Sequence, residues 1–390
     1  MKRNYPVGIQ NFEKIRNGNY CYIDKTDLIY QLIKSGQYYF LSRPRRFGKS
    51  LLISTLEAYF QGKKELFEGL AIEQLEKEWI EYPILHLDLN AQKYDTPESL
   101  YSILNNALCI WESLYGSRPS ETNLSLRFQG VIQRAAEKWN RPVVILIDEY
   151  DKPMLQAIGN EPLLNDYRNT LKAFYGVMKS CDKYIQFALL TGVTKFSKVS
   201  VFSDLNNLMD ISIDNRFANI CGITEKELLS NFKEDIIELG QKNGMTEEET
   251  KAYLKEMYDG YHFVEYGDDI YNPFSLLNTF AKMKFGSYWF ETGTPTFLVE
   301  LLKHSEYDLH RLTEEMTSAD SLGGIDTMYS NPIPILYQSG YLTIKGYDKE
   351  FQVYYLGFPN KEVEEGFTKF LLPCYAHLQT GNKRHREMDC

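Results

Sequence analysis

Short apolar runs and longer segments with helical spacing follow one another along the first half of the chain. The apolar runs lie at residues 38–41, 84–89, 143–147 and 185–190. The run VVILI at 143–147 is uninterrupted and mostly β-branched, which is typical of a strand buried on both faces. Strands that alternate with helices predict an α/β fold, a parallel sheet with flanking helices, over residues 1–222.

The pattern changes after residue 222, where helical spacing becomes dominant. Thr224 and Glu227 form a capping-box signature, which predicts a helix from there to about residue 240. Two more helical segments follow at 246–257 and 273–283, so we predict a helical subdomain over residues 223–292. Further on, a helix at 297–303, a short helix after residue 331 and strands at 341–346 and 351–358 predict a winged-helix-like module with a C-terminal tail over residues 293–390.

Composition limits the class of protein. The chain has 390 residues, which predicts more than one domain. Its 43% hydrophobic and 25% charged residues are typical of soluble globular proteins. A net charge of −10 does not favour nonspecific nucleic-acid binding. The six cysteines form no Cys-x-x-Cys pair, the N-terminus lacks a signal-peptide core, and no apolar run approaches the ~20 residues of a membrane span. We therefore expect a cytoplasmic protein that does not enter a membrane.

A basic loop follows the first predicted strand and precedes a helical segment. Residues 43–50 read RPRRFGKS. A Gly-Lys-Ser sequence between strand and helix is typical of a loop whose amides hold phosphates, with Lys49 on the terminal phosphates and the Ser50 hydroxyl on Mg²⁺. Arg43 replaces the usual first glycine, so the motif alone leaves a basic turn as the alternative. The predicted nucleotide-binding residues of the loop are Arg45, Arg46, Phe47, Gly48, Lys49, Ser50 and Leu51, although the arginines could instead pair with acidic residues of the chain.

Acidic residues follow the apolar run at 143–147. Ligands of open α/β sheets bind at the carboxyl ends of the strands, so Asp148 is predicted to act on Mg²⁺ and Glu149 to polarise the attacking water. Glu149 could also be a simple acidic cap, and Asp151 is the alternative base. Thr191 ends the fourth predicted strand, which is expected beside the second; it either contacts the terminal phosphate or is an ordinary strand-end hydroxyl.

Several stretches together resemble one family, the predicted AAA-ATPase-like proteins of bacteria, which are related to the STAND-type P-loop ATPases. They are YPVGI at 5–9, YIDKT at 22–26, FLSRPRRFGKS at 40–50, LIDEYDKP at 146–153 and FPNKEV at 358–363. The family carries arginine where the usual loop has its first glycine. The resemblance implies a P-loop NTPase core that uses ATP and Mg²⁺.

The resemblance also implies roles for individual residues. Lys49 and Ser50 take the phosphate and magnesium positions, Asp148 and Glu149 form the second acidic motif, and Thr191 matches a phosphate sensor. The sequence GTP at 293–295 resembles an element near adenine, which makes Pro295 a predicted nucleotide contact. Members typically continue past FPNKEV into a restriction-endonuclease-like domain, and the sequence ends soon after this stretch, so we expect no nuclease activity.

These observations predict an ATP-binding and ATP-hydrolysing molecular switch with Lys49, Glu149 and Thr191 as catalytic residues. The alternative is a nucleotide-gated interaction or DNA-binding module with little or no turnover, and a core that binds no nucleotide is a third possibility. The expected partners are ATP and either another protein or a second copy of the chain. Nucleic acid is not indicated by the charge.

Overall fold

The computed structural model describes residues 4–196, 201–202, 205, 207–292, 298, 301, 316–322 and 331–371. By their contacts these residues group into two compact units. The first consists of Met1–Arg43 with Gly48–Cys221, and the second of Pro44–Phe47 with Gly222–Cys390. Four residues of the basic loop therefore group with the second unit.

A five-stranded parallel sheet forms the centre of the first unit. Across the sheet the strand order is β2-β3-β4-β1-β5. Every residue of β3 is buried, as its uninterrupted apolar run predicts. The strands are β1 (Tyr38–Ser42), β2 (Ile84–Asp88), β3 (Val143–Asp148), β4 (Ile185–Gly192) and β5 (Met209–Asp210).

The position of β4 differs from the expectation. It was expected beside the second strand, but it pairs with β3 on one side and with β1 on the other, so that expectation is wrong. Strand order depends on where each crossover connection returns to the sheet, and local sequence does not encode this. Because β4 lies between them, the loop after β1 and the acidic end of β3 are one strand apart.

Helices connect and flank these strands, which confirms the predicted α/β core. The helix after the basic loop begins at Lys49 and is buried on most of its residues. The helices of this unit are α1 (Phe12–Asn17), α2 (Thr26–Ser35), α3 (Lys49–Phe60), α4 (Ala71–Leu75), α5 (Pro97–Tyr115), α6 (Leu124–Trp139), α7 (Lys152–Gln156) and α8 (Glu161–Ser180).

The second unit begins with the predicted helices. The capping box of Thr224 and Glu227 is present. The helix predicted to run on to residue 240 is instead interrupted at Phe232, which is fully buried and stacks on Phe280 with 5.0 Å between ring centroids. Burial of this ring outweighs the continuous helical pattern. The helices are α9 (Glu225–Asn231), α10 (Lys233–Asn243), α11 (Glu247–Tyr258), α12 (Pro273–Lys282) and α13 (Tyr288–Glu291).

The remaining elements include two small antiparallel sheets. Strands β6 (Ile223–Thr224) and β7 (Ile270–Tyr271) pair with each other. The predicted C-terminal hairpin is present as β9 (Thr343–Asp348) and β10 (Val353–Gly357), and β8 (Met316–Ser318) pairs with the other edge of β10. Short helices are α14 (Ala319–Leu322), α15 (Ile333–Gln338) and α16 (Lys361–Gly366). The winged-helix-like arrangement and the boundary at residue 292 stay predictions.

Candidate functional site

The basic loop passes through left-handed backbone conformations at two positions. Arg46 has φ 67° and Gly48 has φ 98°. Gly48 is the N-cap of α3, and only glycine adopts its φ without strain. A Cβ built on Gly48 would have no atom within 4 Å, so the space beside this residue is open. Open space at the start of a 12-residue helix suits a bound anion.

Arg43, which replaces the usual first glycine, is buried inside the first unit with 1% of its surface exposed. Its guanidinium donates to the carbonyl oxygens of Ser212 at 2.7 Å, Ser42 at 3.0 Å and Ala218 at 3.3 Å. The side chain therefore connects the end of β1 to the chain after β5. In the structure, the arginine at this position holds the start of the loop, where the chain leaves β1, against residues 212 and 218.

Lys49 is buried beside this fastened backbone. Its ammonium donates to the carbonyl oxygen of Arg43 at 3.0 Å and lies 3.7 Å from Glu149 Oε1. Glu149 follows β3, so the fold brings together the lysine and the carboxylate that the sequence singled out. Glu149 has φ 55°, a conformation that is uncommon for residues other than glycine and is often found at functional sites. Its side chain is 21% exposed and can reach solvent.

Asp148 is buried and uses one of its two carboxylate oxygens. Oδ1 accepts hydrogen bonds from the Thr191 hydroxyl at 2.5 Å and from the Glu149 amide at 3.1 Å. Thr191 is fully buried, and its hydroxyl is committed to Asp148. The hydrogen bond turns Asp148 into a carboxylate with a fixed orientation. It also gives Thr191 a contact that the sequence did not predict.

Two oxygen atoms fit the requirements of a magnesium ion. Among the residues that the structure describes, neither Asp148 Oδ2 nor Ser50 Oγ has a hydrogen-bond partner. A hydroxyl and a carboxylate are the oxygen donors that Mg²⁺ takes from a protein when phosphates and water complete its shell. No group of three or more histidine, cysteine or acidic side chains in the described ranges could hold a metal by itself. The donor set therefore fits a metal shared with a bound phosphate.

Asp151, the alternative base, is a structural carboxylate. It is fully buried and accepts hydrogen bonds from the Val193 amide at 3.0 Å and from the amide and hydroxyl of Thr194, each at 2.6 Å. Burial raises its pKa to about 6. With no exposed surface and hydrogen bonds at both oxygens, Asp151 is placed as a structural group, and its role as a base stays a prediction. It fixes the chain that leaves β4.

The other predicted contacts lie in different places. Arg45 and Arg46 are exposed, whereas Phe47 is buried within the second unit, and Leu51 is half-buried on α3. Pro295 lies outside the described residues. The structure thus brings Lys49, Ser50, Asp148, Glu149 and Thr191 into the first unit, and it places residues 45–47 among side chains of the second.

Sequence reasoning gave no role to two residues that contact the loop or support it. The indole N–H of Trp289 donates to the Arg45 carbonyl at 3.0 Å, and Glu362 accepts from the Trp289 backbone amide at 2.7 Å. Glu362 belongs to the FPNKEV stretch, which contributed to the family resemblance but was given no role. Nothing in the sequence singled out Trp289, or the carbonyl groups of Ser212 and Ala218 that bind Arg43.

Comparisons with known proteins identify a family and a relative. The family model described as Predicted AAA-ATPase matches residues 6–202. The uncharacterized protein in the vnfD 5′ region of Azotobacter chroococcum mcd 1 is 37% identical over 389 residues, which cover 97% of this chain and 73% of that protein. No solved structure matches the chain.

No helix among the described residues is both long and apolar enough to cross a lipid bilayer. The matched family segment contains the basic loop, the acidic end of β3 and the end of β4. The chain therefore belongs to the predicted AAA-ATPase-like family, whose description indicates an ATPase-type function.

Proposed function

We propose that this chain binds Mg-ATP at the carboxyl end of the parallel sheet and hydrolyses it, and that the protein acts as a molecular switch. One observation carries the proposal. The buried Lys49 ammonium lies 3.7 Å from Glu149, while Ser50 Oγ and Asp148 Oδ2 have no hydrogen-bond partner among the described residues. A buried lysine, together with a hydroxyl oxygen and a carboxylate oxygen that can bind a metal, is suited to a phosphate chain and its metal.

Each residue of the site has one task in this proposal. Lys49 and the amides at the start of α3 bind the phosphate oxygens. Ser50 and Asp148 would hold Mg²⁺, which when bound neutralises charge on the phosphates. Glu149 orients a water and accepts its proton, because its side chain is partly exposed and lies next to Lys49. Thr191 keeps Asp148 in a fixed orientation through its hydroxyl.

The switch part of the proposal rests on the loop. Residues 44–47 make their contacts with side chains of the second unit, such as Trp289 and Phe274. If nucleotide binding or release changes the loop backbone, these contacts change as well. The nucleotide state would then be read out through residues that do not touch the nucleotide.

Titration calorimetry with a non-hydrolysable ATP analogue and Mg²⁺ tests the binding site. Lys49→Ala is expected to weaken affinity by about 100-fold or more, because it removes a buried charge that pairs with phosphate. Lys242→Ala is the control, since Lys242 is 52% exposed and pairs with Glu238 on the surface of α10. Equal affinities of wild type and Lys49→Ala would contradict the proposal.

Glu149→Gln separates hydrolysis from binding alone. For a hydrolysing switch, the variant keeps the affinity for the analogue and loses phosphate release by about 100-fold or more, since the amide is no longer a base. If the wild type binds the analogue but releases no phosphate above the level of Glu149→Gln, the chain is a nucleotide-gated module without turnover.

A further inference from the structure

Residues 44–47 of the basic loop are held in place by the second unit. The Arg46 guanidinium lies 4.9 Å from the centre of the Phe274 ring, and the Phe47 carbonyl accepts from the Gly222 amide at 3.1 Å. Pro44 approaches Gly340 so closely that a Cβ there would lie 2.7 Å from it. The Trp289 indole N–H donates to the Arg45 carbonyl at 3.0 Å. The loop is therefore contacted at each of residues 44–47, through the backbone carbonyls of Arg45 and Phe47 and the side chains of Pro44 and Arg46.

Trp289 is itself fixed by a buried carboxylate. Glu362 is fully buried, and its oxygens accept from the Trp289 amide and from the Ser275 hydroxyl, each at 2.7 Å. The Ser275 hydroxyl oxygen also accepts from the Trp289 amide, at 3.1 Å. Glu362 lies on α16, whose N-cap Asn360 bonds to the Val363 amide and to the carbonyl of Asp259. The start of the helix that carries Glu362 is therefore itself held by hydrogen bonds.

We propose that Glu362 and Trp289 are positioning residues for the phosphate-binding loop. The carboxylate fixes the backbone at Trp289, and the indole N–H then holds the Arg45 carbonyl, so that the following residues keep the conformation that presents the loop amides to phosphate. This inference rests on the proposed nucleotide binding and extends it. It assigns a task to the FPNKEV stretch, which otherwise has none.

The backbone of Arg46 shows why such support is needed. Its φ of 67° is unfavourable for a residue with a side chain and persists only when surrounding contacts impose it. A loop that adopts its binding conformation only part of the time binds more weakly in proportion to that fraction. Loss of the Trp289 bond should therefore reduce nucleotide affinity although Trp289 does not belong to the proposed phosphate site.

The rate of tryptic cleavage after Arg45 and Arg46 measures how often the loop leaves its bound conformation, because both arginines are exposed and trypsin cuts after arginine. In the intact chain without nucleotide, Trp289→Phe and Glu362→Gln should be cleaved about five- to tenfold faster at these two bonds, as expected when one hydrogen bond is lost. Cleavage after Arg118 and Arg168, in the first unit, should not change. The matched controls are Trp139→Phe and Glu364→Gln, which alter an exposed tryptophan and an exposed glutamate of the same helix as Glu362.

The affinity for the non-hydrolysable ATP analogue with Mg²⁺ is measured on the same proteins. Faster cleavage with an affinity about five- to tenfold lower supports the inference. Unchanged cleavage overturns it, whatever the affinity. Faster cleavage with wild-type affinity overturns the link to nucleotide binding. If the wild type does not bind the analogue, the proposed function fails, while the cleavage rates still decide whether Glu362 and Trp289 hold the loop.

Ser275→Ala provides a second test that leaves the buried Glu362 unchanged. It removes one hydroxyl that contacts both Glu362 and Trp289 and leaves the carboxylate in place. We expect about a two- to fivefold increase in cleavage after Arg45 and Arg46. A variant that folds, by circular dichroism, and is cleaved there at the wild-type rate would contradict the positioning role.

Discussion

Asp148 in the first unit and Glu362 in the second are both buried carboxylates, but they are satisfied to different degrees. Asp148 Oδ1 accepts two hydrogen bonds, whereas Oδ2 has no donor among the described residues. Glu362 accepts at both oxygens, from Ser275 and from Trp289. An oxygen that accepts no hydrogen bond can still take a ligand, and the proposed function assigns Asp148 Oδ2 to Mg²⁺.

The surroundings of Asp148 and Glu362 also differ. Asp148 ends β3 and precedes Glu149, which lies 3.7 Å from the Lys49 ammonium, and in the proposed function a metal and phosphates would balance these charges. Glu362 is enclosed, and its donors are all supplied by the protein. Burial alone therefore does not identify a catalytic acid, and the number of unused hydrogen-bonding positions is what makes Asp148 rather than Glu362 the candidate ligand.

The largest effect is expected from Asp148→Asn. The amide keeps the shape of the side chain but lacks the charge for Mg²⁺, so ATP hydrolysis should fall by about 100-fold or more while the free energy of unfolding changes by less than about 1 kcal/mol. Asp88→Asn is the control, because Asp88 is the register partner of Asp148 on β2, is exposed, and caps a short turn. Phosphate release and denaturant unfolding measure both. A turnover rate equal to that of Asp88→Asn would remove Asp148 from the site.

Glu362→Ala tests the opposite side of the comparison. Loss of the Glu362 carboxylate leaves two buried donors, the Trp289 amide and the Ser275 hydroxyl, without this acceptor. The free energy of unfolding should therefore fall by about 3 kcal/mol. Glu364→Ala, on the exposed face of the same helix, should change it by less than about 0.5 kcal/mol. Chemical denaturation compares the two. Equal stabilities would mean that the hydrogen bonds of Glu362 contribute nothing.

Arg43→Lys tests whether stability depends on the guanidinium hydrogen bonds at the start of the loop. An ammonium cannot span the carbonyl oxygens of Ser212 and Ala218, so we expect a loss of about 2 kcal/mol in the free energy of unfolding. Arg216→Lys is the matched control, since that side chain is 56% exposed and pairs with Asp214 at the surface. If both variants unfold at the same denaturant concentration, Arg43 does not fasten the loop.

The smallest effect is a pH dependence of stability. Burial raises the pKa of Glu362 from its ordinary value of 4.5 to about 7. The folded chain then holds this proton more tightly than the unfolded chain, so the contribution of Glu362 to stability decreases as pH rises from about 5 to 7. Glu362→Gln does not titrate.

The stability of wild type relative to Glu362→Gln should therefore decrease by roughly 1 kcal/mol per pH unit at most in that window. Asp151 and Asp259, whose pKa values burial also raises to about 6, titrate in both proteins and cancel in the difference. Urea denaturation at several pH values measures it. A difference that stays constant from pH 5 to 7 would contradict the raised pKa.

Much of the α/β core could be predicted from local patterns, because buried strands and amphipathic helices leave periodic signals over several residues. Strand β5 could not be predicted, since two residues carry no period. The break at Phe232 was missed because helical spacing continues through it, and only packing against Phe280 ends the helix. Of the candidate site, the loop and the acidic strand end were predicted from chain order and residue type. The capture of the Thr191 hydroxyl by Asp148 depends on β4 entering between β3 and β1.

The amino-acid sequence predicted which residues would bind phosphate and metal, since RPRRFGKS and the acidic end of β3 combine the required chemistry with a strand-loop-helix order. Only the tertiary structure decided how they are used. It buried Arg43 against the carbonyl oxygens of Ser212 and Ala218 and placed Lys49 beside Glu149. It also buried Asp151 and connected Glu362 through Trp289 to the Arg45 carbonyl. The physical reason is that hydrogen-bond satisfaction and burial arise from residues far apart in the chain, which no local pattern records.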